Sequence, residues 1–265
     1  NKFSPQKIST TLSNANTFVM KGRGKVMDAS TGTTVVEFSS LQSPSATKDK
    51  YFELRTTTVG GTPYVRVHGI DDPPIAIGWD TWVSFIGVGK KLTDNVTYQW
   101  TYYVNGIKIP LYTMGANEGQ PFERAWNPVA NSFQFAQRDV NEGGFDDLGF
   151  YYLNADETFT VNDISKDTFN TIIVVFSHEI YNSVKSNIFI DSTPVDPEMI
   201  TILPDQKSIA VSPLAFADYT PGESVQFTVK KELDNVLEAT LTNDVSEIFE
   251  TPVVLESPII KSIVP

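Results

Sequence analysis

The chain has 265 residues, 40% of them hydrophobic and 12% aromatic, which is enough apolar material for one large core or two ordinary ones. It contains no cysteine, which excludes disulfides, thiolate metal sites and cysteine catalysis. A formal net charge of −12 argues against nucleic acid as a partner, and no apolar run approaches the roughly 20 residues of a transmembrane segment.

The first third of the chain predicts short β-strands separated by turns. The candidate strands are Thr17 to Val26 (a strand pair around its two glycines), Thr33 to Phe38, Tyr51 to Arg55 and Tyr64 to His68. Gly60-Gly61 is a hairpin signal between the last two. Asp71 to Pro74 is expected to interrupt the strand ladder, because proline lacks the amide donor.

The stretch from Trp79 to Asn154 carries the clearest strand pattern. Tyr98, Trp100, Tyr102 and Val104 alternate with Thr97, Gln99, Thr101 and Tyr103, a period of two that is typical of a half-buried antiparallel strand. Asn105-Gly106 then predicts a tight hairpin turn, and Ile107 and Ile109 begin the returning strand. Leu148, Phe150 and Tyr152 alternate in the same way. The tryptophans of these alternating segments, Trp82 and Trp100, are expected in the core.

Between Leu111 and Asn131 the alternation disappears. This segment is rich in glycine, proline and asparagine, and it holds two large aromatics, Phe122 and Trp126. Long loops on rigid scaffolds often carry function. Two interpretations therefore stay open: the loop binds a ligand, or its aromatics cover the end of a hydrophobic core.

A second set of short β-branched strands begins near Asn162. The predicted strands are Thr171 to Phe176, Asn187 to Ile190, Met199 to Ile202, Ser208 to Val211 and Val225 to Val229. Strands this short, spaced by turns, indicate a small sandwich. Lys230 to Ala239 is the one segment that could form about two helical turns.

Three motifs of the first region resemble the laminin-G and concanavalin A-like lectin superfamily. They are a tryptophan-bearing strand with Trp82, the Y-V-N-G hairpin from Tyr103 to Gly106, and G-G-F-D-D-L-G-F-Y from Gly143 to Tyr151. The resemblance covers roughly residues 10 to 160 and implies a jelly roll of two packed antiparallel sheets. The order T-V-V-E-F, then F-Q-F-A-Q-R-D, is also similar to the lectin module at the head of sialidases, which implies arginines that pair an acidic sugar.

The second region resembles the bacterial immunoglobulin-like modules of surface proteins. The similarity lies in I-I-V-V-F-S-H-E-I, a later D-Q-K-S-I strand and a Y-T-P-G turn, although Glu179 stands where those modules usually have proline. We therefore expect an all-β protein with a jelly roll over residues 1–162, an immunoglobulin-like sandwich over 165–256, and the start of a further module or tail over 257–265. Such modules serve as spacers and stalks.

These resemblances imply a non-catalytic carbohydrate-binding or adhesion protein, secreted or on a cell surface, of bacterial origin. A polysaccharide hydrolase or lyase and a purely structural adhesin subunit are the alternatives. Glycosidases on this fold usually carry E-x-D-x-E on one strand, and this chain has no such run. Asp146 and Asp147 are adjacent, so their side chains are expected on opposite faces of a strand.

A sugar site needs an aromatic face and a few polar partners for hydroxyl groups. The predicted ligand-binding residues are Trp126, Arg124, Glu123 and Asn127 in the irregular loop, with Tyr112 and Trp79 beside it. The partner expected there is a glycan or another cell-surface ligand.

Calcium is the one cofactor that the sequence suggests. In many laminin-G-like relatives the first aspartate of the I-D-D motif, or nearby loop oxygens, hold a structural calcium at the rim of the sandwich. By this resemblance the metal ligands would be Asp146 and Asp147. The alternative is that these carboxylates accept backbone amides in a turn.

Overall fold

The computed structural model of the protein describes residues 16–26, 36–42, 48–56, 63–67, 70–94, 96–112, 116–125, 131–137, 143–153 and 157–251. Regular structure in these ranges is almost all antiparallel strand, so the all-β prediction is confirmed. The helices described are three short 3-10 turns, at Asn182–Ser186, Pro197–Met199 and Pro213–Phe216. The chain divides into two compact units, Asn1–Glu157 and Thr158–Pro265.

Unit 1 contains two antiparallel sheets. The first comprises β1 (Thr17–Val26), β6 (Val83–Lys91), β7 (Thr97–Val104), β8 (Ile107–Ile109), β9 (Phe122–Ala125) and β11 (Gly143–Leu153). Its order is β11-β1-β6-β7-β8, with β9 also pairing with β7. The second comprises β2 (Val36–Gln42), β3 (Lys48–Thr56), β4 (Pro63–Val67), β5 (Ile70–Ala76) and β10 (Asn131–Gln137), in the order β10-β2-β3-β4-β5.

The alternation in β7 determines which face of the first sheet is buried. Its four alternating apolar residues, Tyr98, Trp100, Tyr102 and Val104, are all at most 1% exposed and join one hydrophobic cluster. Val65 of β4 belongs to the same cluster, so the second sheet packs on this face. The predicted hairpin is confirmed: Asn105 and Gly106 both have positive φ, at 49° and 75°, as the tight turn requires.

Three predictions about unit 1 were wrong in detail. Residues 17–26 form the single strand β1, in which Gly22 leaves room for Leu148 on β11: a Cβ there would lie 2.6 Å from the Leu148 Cδ2 atom. Asp71–Pro74 lies inside β5, which tolerates its prolines because it is the last strand of its sheet and pairs irregularly with β4. Part of the irregular segment, Phe122–Ala125, is strand β9.

Unit 2 is a sandwich of two four-stranded antiparallel sheets. One comprises β12 (Val161–Lys166), β13 (Ile172–Phe176), β16 (Ile200–Ile202) and β17 (Ser208–Val211), in the order β12-β13-β17-β16. The other comprises β14 (Ile188–Ile190), β15 (Thr193–Pro194), β18 (Ser224–Val229) and β19 (Val245–Glu250), in the order β15-β14-β18-β19. Buried residues of both sheets form one cluster, as Val174 and Phe227 illustrate.

The five strands predicted for unit 2 are present within a residue of their predicted bounds. The helix suggested over Lys230 to Ala239 is wrong, because this segment is a loop closed by an isolated bridge between Asp234 and Thr240. The Asn235 side chain holds it, since its Oδ1 atom accepts the Leu237 and Ala239 amides at 2.8 and 3.0 Å. The jelly-roll boundary predicted at residue 162 falls inside β12, which belongs to unit 2.

Candidate functional site

The residues predicted to bind a ligand lie in different parts of unit 1. Trp79 is half-buried against the core, in the connection that leads into the Val83 end of β6. Glu123 is exposed on β9 opposite Gln99, and Arg124 lies opposite Tyr98. Glu123 and Trp79 are therefore far apart. Gln99, opposite Glu123, is five strand positions along β7 from Val104, the residue of β7 nearest the start of β6, or about 16 Å. Trp126 and Asn127 lie outside the described residues.

Tyr112 serves the core. It is 8% exposed, and its ring centroid lies 4.3 Å from that of Phe122, which itself packs edge-on against Tyr102. The Tyr112 amide donates to the Gln120 carbonyl at 3.0 Å, and the Gly119 amide donates to the Tyr112 carbonyl at 2.9 Å. Leu111 also bridges to Pro121, so residues 111–112 pair with residues 119–121 and Phe122 is brought into the core. For Phe122 this agrees with the second interpretation.

A different group of side chains combines an indole face with several charges at the Val83 end of the first sheet. We call it the Trp82 cluster, and its members are Arg23, Lys25, Asp80, Trp82, Asp146 and Asp147. The Arg23 guanidinium carbon lies 5.0 Å from the Trp82 ring centroid, and the Lys25 Nζ atom lies 5.3 Å from it. Both distances are within the range of cation–π attraction. Trp82 was expected in the core, but it is half-buried and is not part of the core cluster.

Strand geometry brings this cluster together. Arg23 and Lys25 are two residues apart on β1, so they share the face opposite to the core. The register pairs Gly24 with Val83, which places both cations beside the residue that precedes β6, Trp82. The Lys25 Nζ atom also donates to the Asp80 carboxylate at 2.6 Å. Asp80 itself has a positive φ of 53°.

Asp146 and Asp147 converge on one cation. Arg23 Nη1 lies 3.8 Å from the Oδ2 atom of each carboxylate. The expectation that these adjacent side chains diverge to opposite faces is therefore wrong. The β1–β11 register shifts between Lys21 and Arg23, and Asp147 has a φ of 51°, so the regular alternation fails at this point.

The solvent-facing surface of the cluster is acidic. The side chains of Arg23 and Lys25 are only 20% and 18% exposed, whereas those of Asp80, Asp146 and Asp147 are 63%, 55% and 44% exposed. The cations thus lie beneath their carboxylate partners and beside the indole. What a ligand would meet first is a set of carboxylate oxygens, which accept hydrogen bonds.

The calcium prediction falls on the same two aspartates. Arg23 already supplies a positive charge to both, so a metal ion would have to displace the guanidinium or bind on its outer side. Within the described ranges, no group of three or more histidine, cysteine, aspartate or glutamate side chains could hold a metal ion. Calcium at Asp146 and Asp147 stays a prediction.

No family model matches this chain, and no curated protein does. One solved structure that it is similar to is the catalytic domain of the glycoside hydrolase family 131 protein from Coprinopsis cinerea, at 10% identity and a TM-score of 0.26. The match covers 54% of this chain and 59% of that chain. A similarity this weak carries no argument about activity or substrate.

The expectation that the protein is not an enzyme is corrected: its geometric premise, that Asp146 and Asp147 point to opposite faces, is wrong, and the matched structure is a catalytic domain. We therefore withdraw the exclusion of catalysis. The described part of the chain contains no helix that is both long enough and apolar enough to cross a membrane.

Proposed function

We propose that this protein binds carbohydrate, as a secreted or cell-surface lectin-like or adhesion protein of bacterial origin, and that unit 1 binds its glycan at the Trp82 cluster. The observation that carries the proposal is a half-buried indole bordered by exposed carboxylates at one end of a β-sheet. An aromatic ring accepts the apolar face of a pyranose, and carboxylates accept hydrogen bonds from its hydroxyl groups.

The charge arrangement favours a neutral sugar over an acidic one. Lys25 is paired with Asp80, Arg23 faces two aspartates, and both cations are largely covered. An anionic ligand would have to compete with three carboxylates for these two cations. Hydroxyl groups, in contrast, can donate to carboxylates that remain paired below. We therefore propose a neutral pyranose, in place of the acidic sugar implied by the sialidase-like resemblance.

We assign unit 1 to a concanavalin-like jelly roll and unit 2 to an immunoglobulin-like spacer. The support for unit 2 is its pair of four-stranded antiparallel sheets, which pack around one hydrophobic core.

A polysaccharide-cleaving enzyme is the second candidate, and the convergence of Asp146 and Asp147 favours it. Their Oδ2 atoms both lie 3.8 Å from Arg23 Nη1, so they are at most twice that distance apart. Glycoside hydrolases use carboxyl pairs about 5–9.5 Å apart, depending on stereochemistry. The test is the release of reducing ends from neutral polysaccharides. Loss of that release in both Asp146→Asn and Asp147→Asn would support catalysis, and no release from the wild type would remove it.

Binding is tested by a glycan array followed by calorimetry with the best neutral oligosaccharide. Trp82→Ala should weaken binding about thirtyfold or more, the effect of losing an aromatic anchor worth about 2 kcal/mol. Trp126→Ala is the matched control. It follows β9, whose last residue pairs with Thr97 at the far end of β7 from the Trp82 cluster.

The two tryptophan variants separate the two predicted sites. Loss of binding in Trp82→Ala alone supports the Trp82 cluster. Loss in Trp126→Ala alone returns the site to the segment between Gly115 and Asn131. An array without hits, or two variants that bind like the wild type, contradicts the proposal. Melting curves of both variants show whether a loss of affinity is a loss of folding.

A further inference from the structure

Unit 2 holds two buried amide groups whose nitrogen atoms have no hydrogen-bond partner. They are Nε2 of Gln206 and Nδ2 of Asn235, in residues that are 5% and 0% exposed. A buried donor left without an acceptor costs about 1–3 kcal/mol, so two of them in one small sandwich require a physical explanation. An acceptor that both can reach would supply it.

Both amides belong to segments that are joined to the same short stretch after β13. The Ile180 amide donates to the Gln206 carbonyl at 2.8 Å, and the Val236 amide donates to the Glu179 carbonyl at 3.0 Å. The adjacent residues Glu179 and Ile180 are therefore hydrogen-bonded, respectively, to the loop that contains Asn235 and to the turn that contains Gln206. The Glu179 side chain is 0% exposed, and its Oε1 atom lies 3.6 Å from Lys207 Nζ.

The orientation of the Asn235 amide is fixed by its oxygen. Oδ1 accepts the Leu237 and Ala239 amides at 2.8 and 3.0 Å, so a flipped side chain would place a donor against two donors. The nitrogen must then be the free end. The backbone of Gln206 is fixed by a turn. Its amide donates to the Leu203 carbonyl at 2.9 Å, and Gln206 has a positive φ of 60°.

We propose that a buried water molecule is bound here, accepting hydrogen bonds from Gln206 Nε2 and Asn235 Nδ2 and donating one to the Glu179 carboxylate. Water is the chemical match, because it accepts two hydrogen bonds and donates two. A metal ion does not fit, since amide N–H groups point their positive ends at the site and metals such as calcium take oxygen ligands. Buried waters typically make about three hydrogen bonds to such groups.

The water connects three segments that lie between strands. They are the stretch from Ser177 to Ile180, the turn from Leu203 to Ser208 and the loop from Asp234 to Leu241. The usual proline of the bacterial modules would offer neither a carboxylate nor an amide at position 179. Glu179, which is fully buried, supplies a carboxylate acceptor among the buried polar residues at this end of the sandwich.

The test is the direction in which Gln206→Met changes stability. Methionine keeps the length of the side chain and removes the amide. If the amide bonds a water, the folded-to-unfolded ratio of unit 2 falls about fivefold or more, the equivalent of about 1 kcal/mol. If the nitrogen has no acceptor, its removal leaves the ratio unchanged or raises it, and the proposal is wrong. Gln226→Met, at an exposed position on β18, is the control and should change little.

A second measurement is independent of any variant. A high-resolution crystal structure of the unmodified chain should place an ordered water within hydrogen-bond distance of Gln206 Nε2, Asn235 Nδ2 and a Glu179 carboxylate oxygen. Density for that water together with a destabilised Gln206→Met protein supports the site. A site without density, or one in which the two amides find protein acceptors, overturns it even if Gln206→Met fails to fold.

Discussion

Replacing Gly89 with alanine should destabilise unit 1 by overpacking its core. Gly89 pairs with Trp100 across β6 and β7, and the indole lies over the glycine. A Cβ at position 89 would lie 2.8 Å from the Trp100 Cε2 and Cζ2 atoms. Carbon atoms in contact are normally about 3.5–4.0 Å apart, so the ring would have to move by roughly 0.7 Å. Trp100 is 0% exposed and belongs to the core cluster, so the displaced ring would move against other core residues.

Overpacking of this kind costs about 1–3 kcal/mol. For a unit of this size, each kcal/mol lowers the melting temperature by about 2–4 °C. Differential scanning calorimetry of the full chain should show the shift, and the transition of unit 2 should stay in place. Gly149→Ala is the control, because the atoms nearest to its new Cβ belong to the flexible Lys21 side chain, at 3.2 Å. A Gly89→Ala protein that melts like the wild type, or an equal loss in Gly149→Ala, would refute the packing argument.

Burial raises the pKa of Tyr98 to about 12, and burial together with the Asp234 hydrogen bond does the same for Tyr181. The buried neutral phenols should contribute their full stability below pH 10, the usual tyrosine pKa, and lose it as the pH rises towards 12. Phenolate absorbance during a pH titration measures this. Hydrogen bonds from the Thr97 hydroxyl, the Thr97 amide and the Val96 amide lower the pKa of Asp94 below 3.8. Asp94→Ala should therefore lower the melting temperature of unit 1 at pH 7, by a margin that shrinks as the pH falls below 3.8; a constant margin would contradict this. Calcium at Asp146 and Asp147 predicts that a chelator lowers the melting temperature, and an unchanged curve would remove the metal.

The strands that could be predicted from the sequence are those in which buried residues alternate with exposed ones or follow one another without a break. The β7 pattern and the apolar run of β13 each identify a strand, because burial on one or both faces leaves a period that can be read directly. β9 and β19 leave no such signal. In β19 only Val245 and Phe249 are half-buried and the other residues are exposed. In β9, Phe122 is buried and Glu123 is exposed, and the strand is recognised by its pairing with β7.

The Trp82 cluster could not be predicted for a related reason. Trp82 precedes β6 in sequence, and a tryptophan in an apolar strand region indicates the core on most occasions. Its actual neighbours, Arg23 and Lys25, lie on β1 and reach it only through the register that pairs Gly24 with Val83. A signal was present in the alternation of β1, where charged residues at 21, 23 and 25 share one face. That alternation identifies a solvated face, but it does not identify the indole beside it.

The two aspartates illustrate the limit of alternation as an argument about chemistry. Adjacent residues on a regular strand point to opposite faces, and on that basis the sequence argues against Asp146 and Asp147 as the carboxyl pair of a hydrolase. One left-handed residue at a shifted register brings both carboxylates to Arg23. The sequence around them, with glycines at 143, 144 and 149, permits such an irregularity but does not locate it. Whether adjacent carboxylates can act together therefore depends on the partner strand, and in this protein the pair has to be tested by mutation of each aspartate.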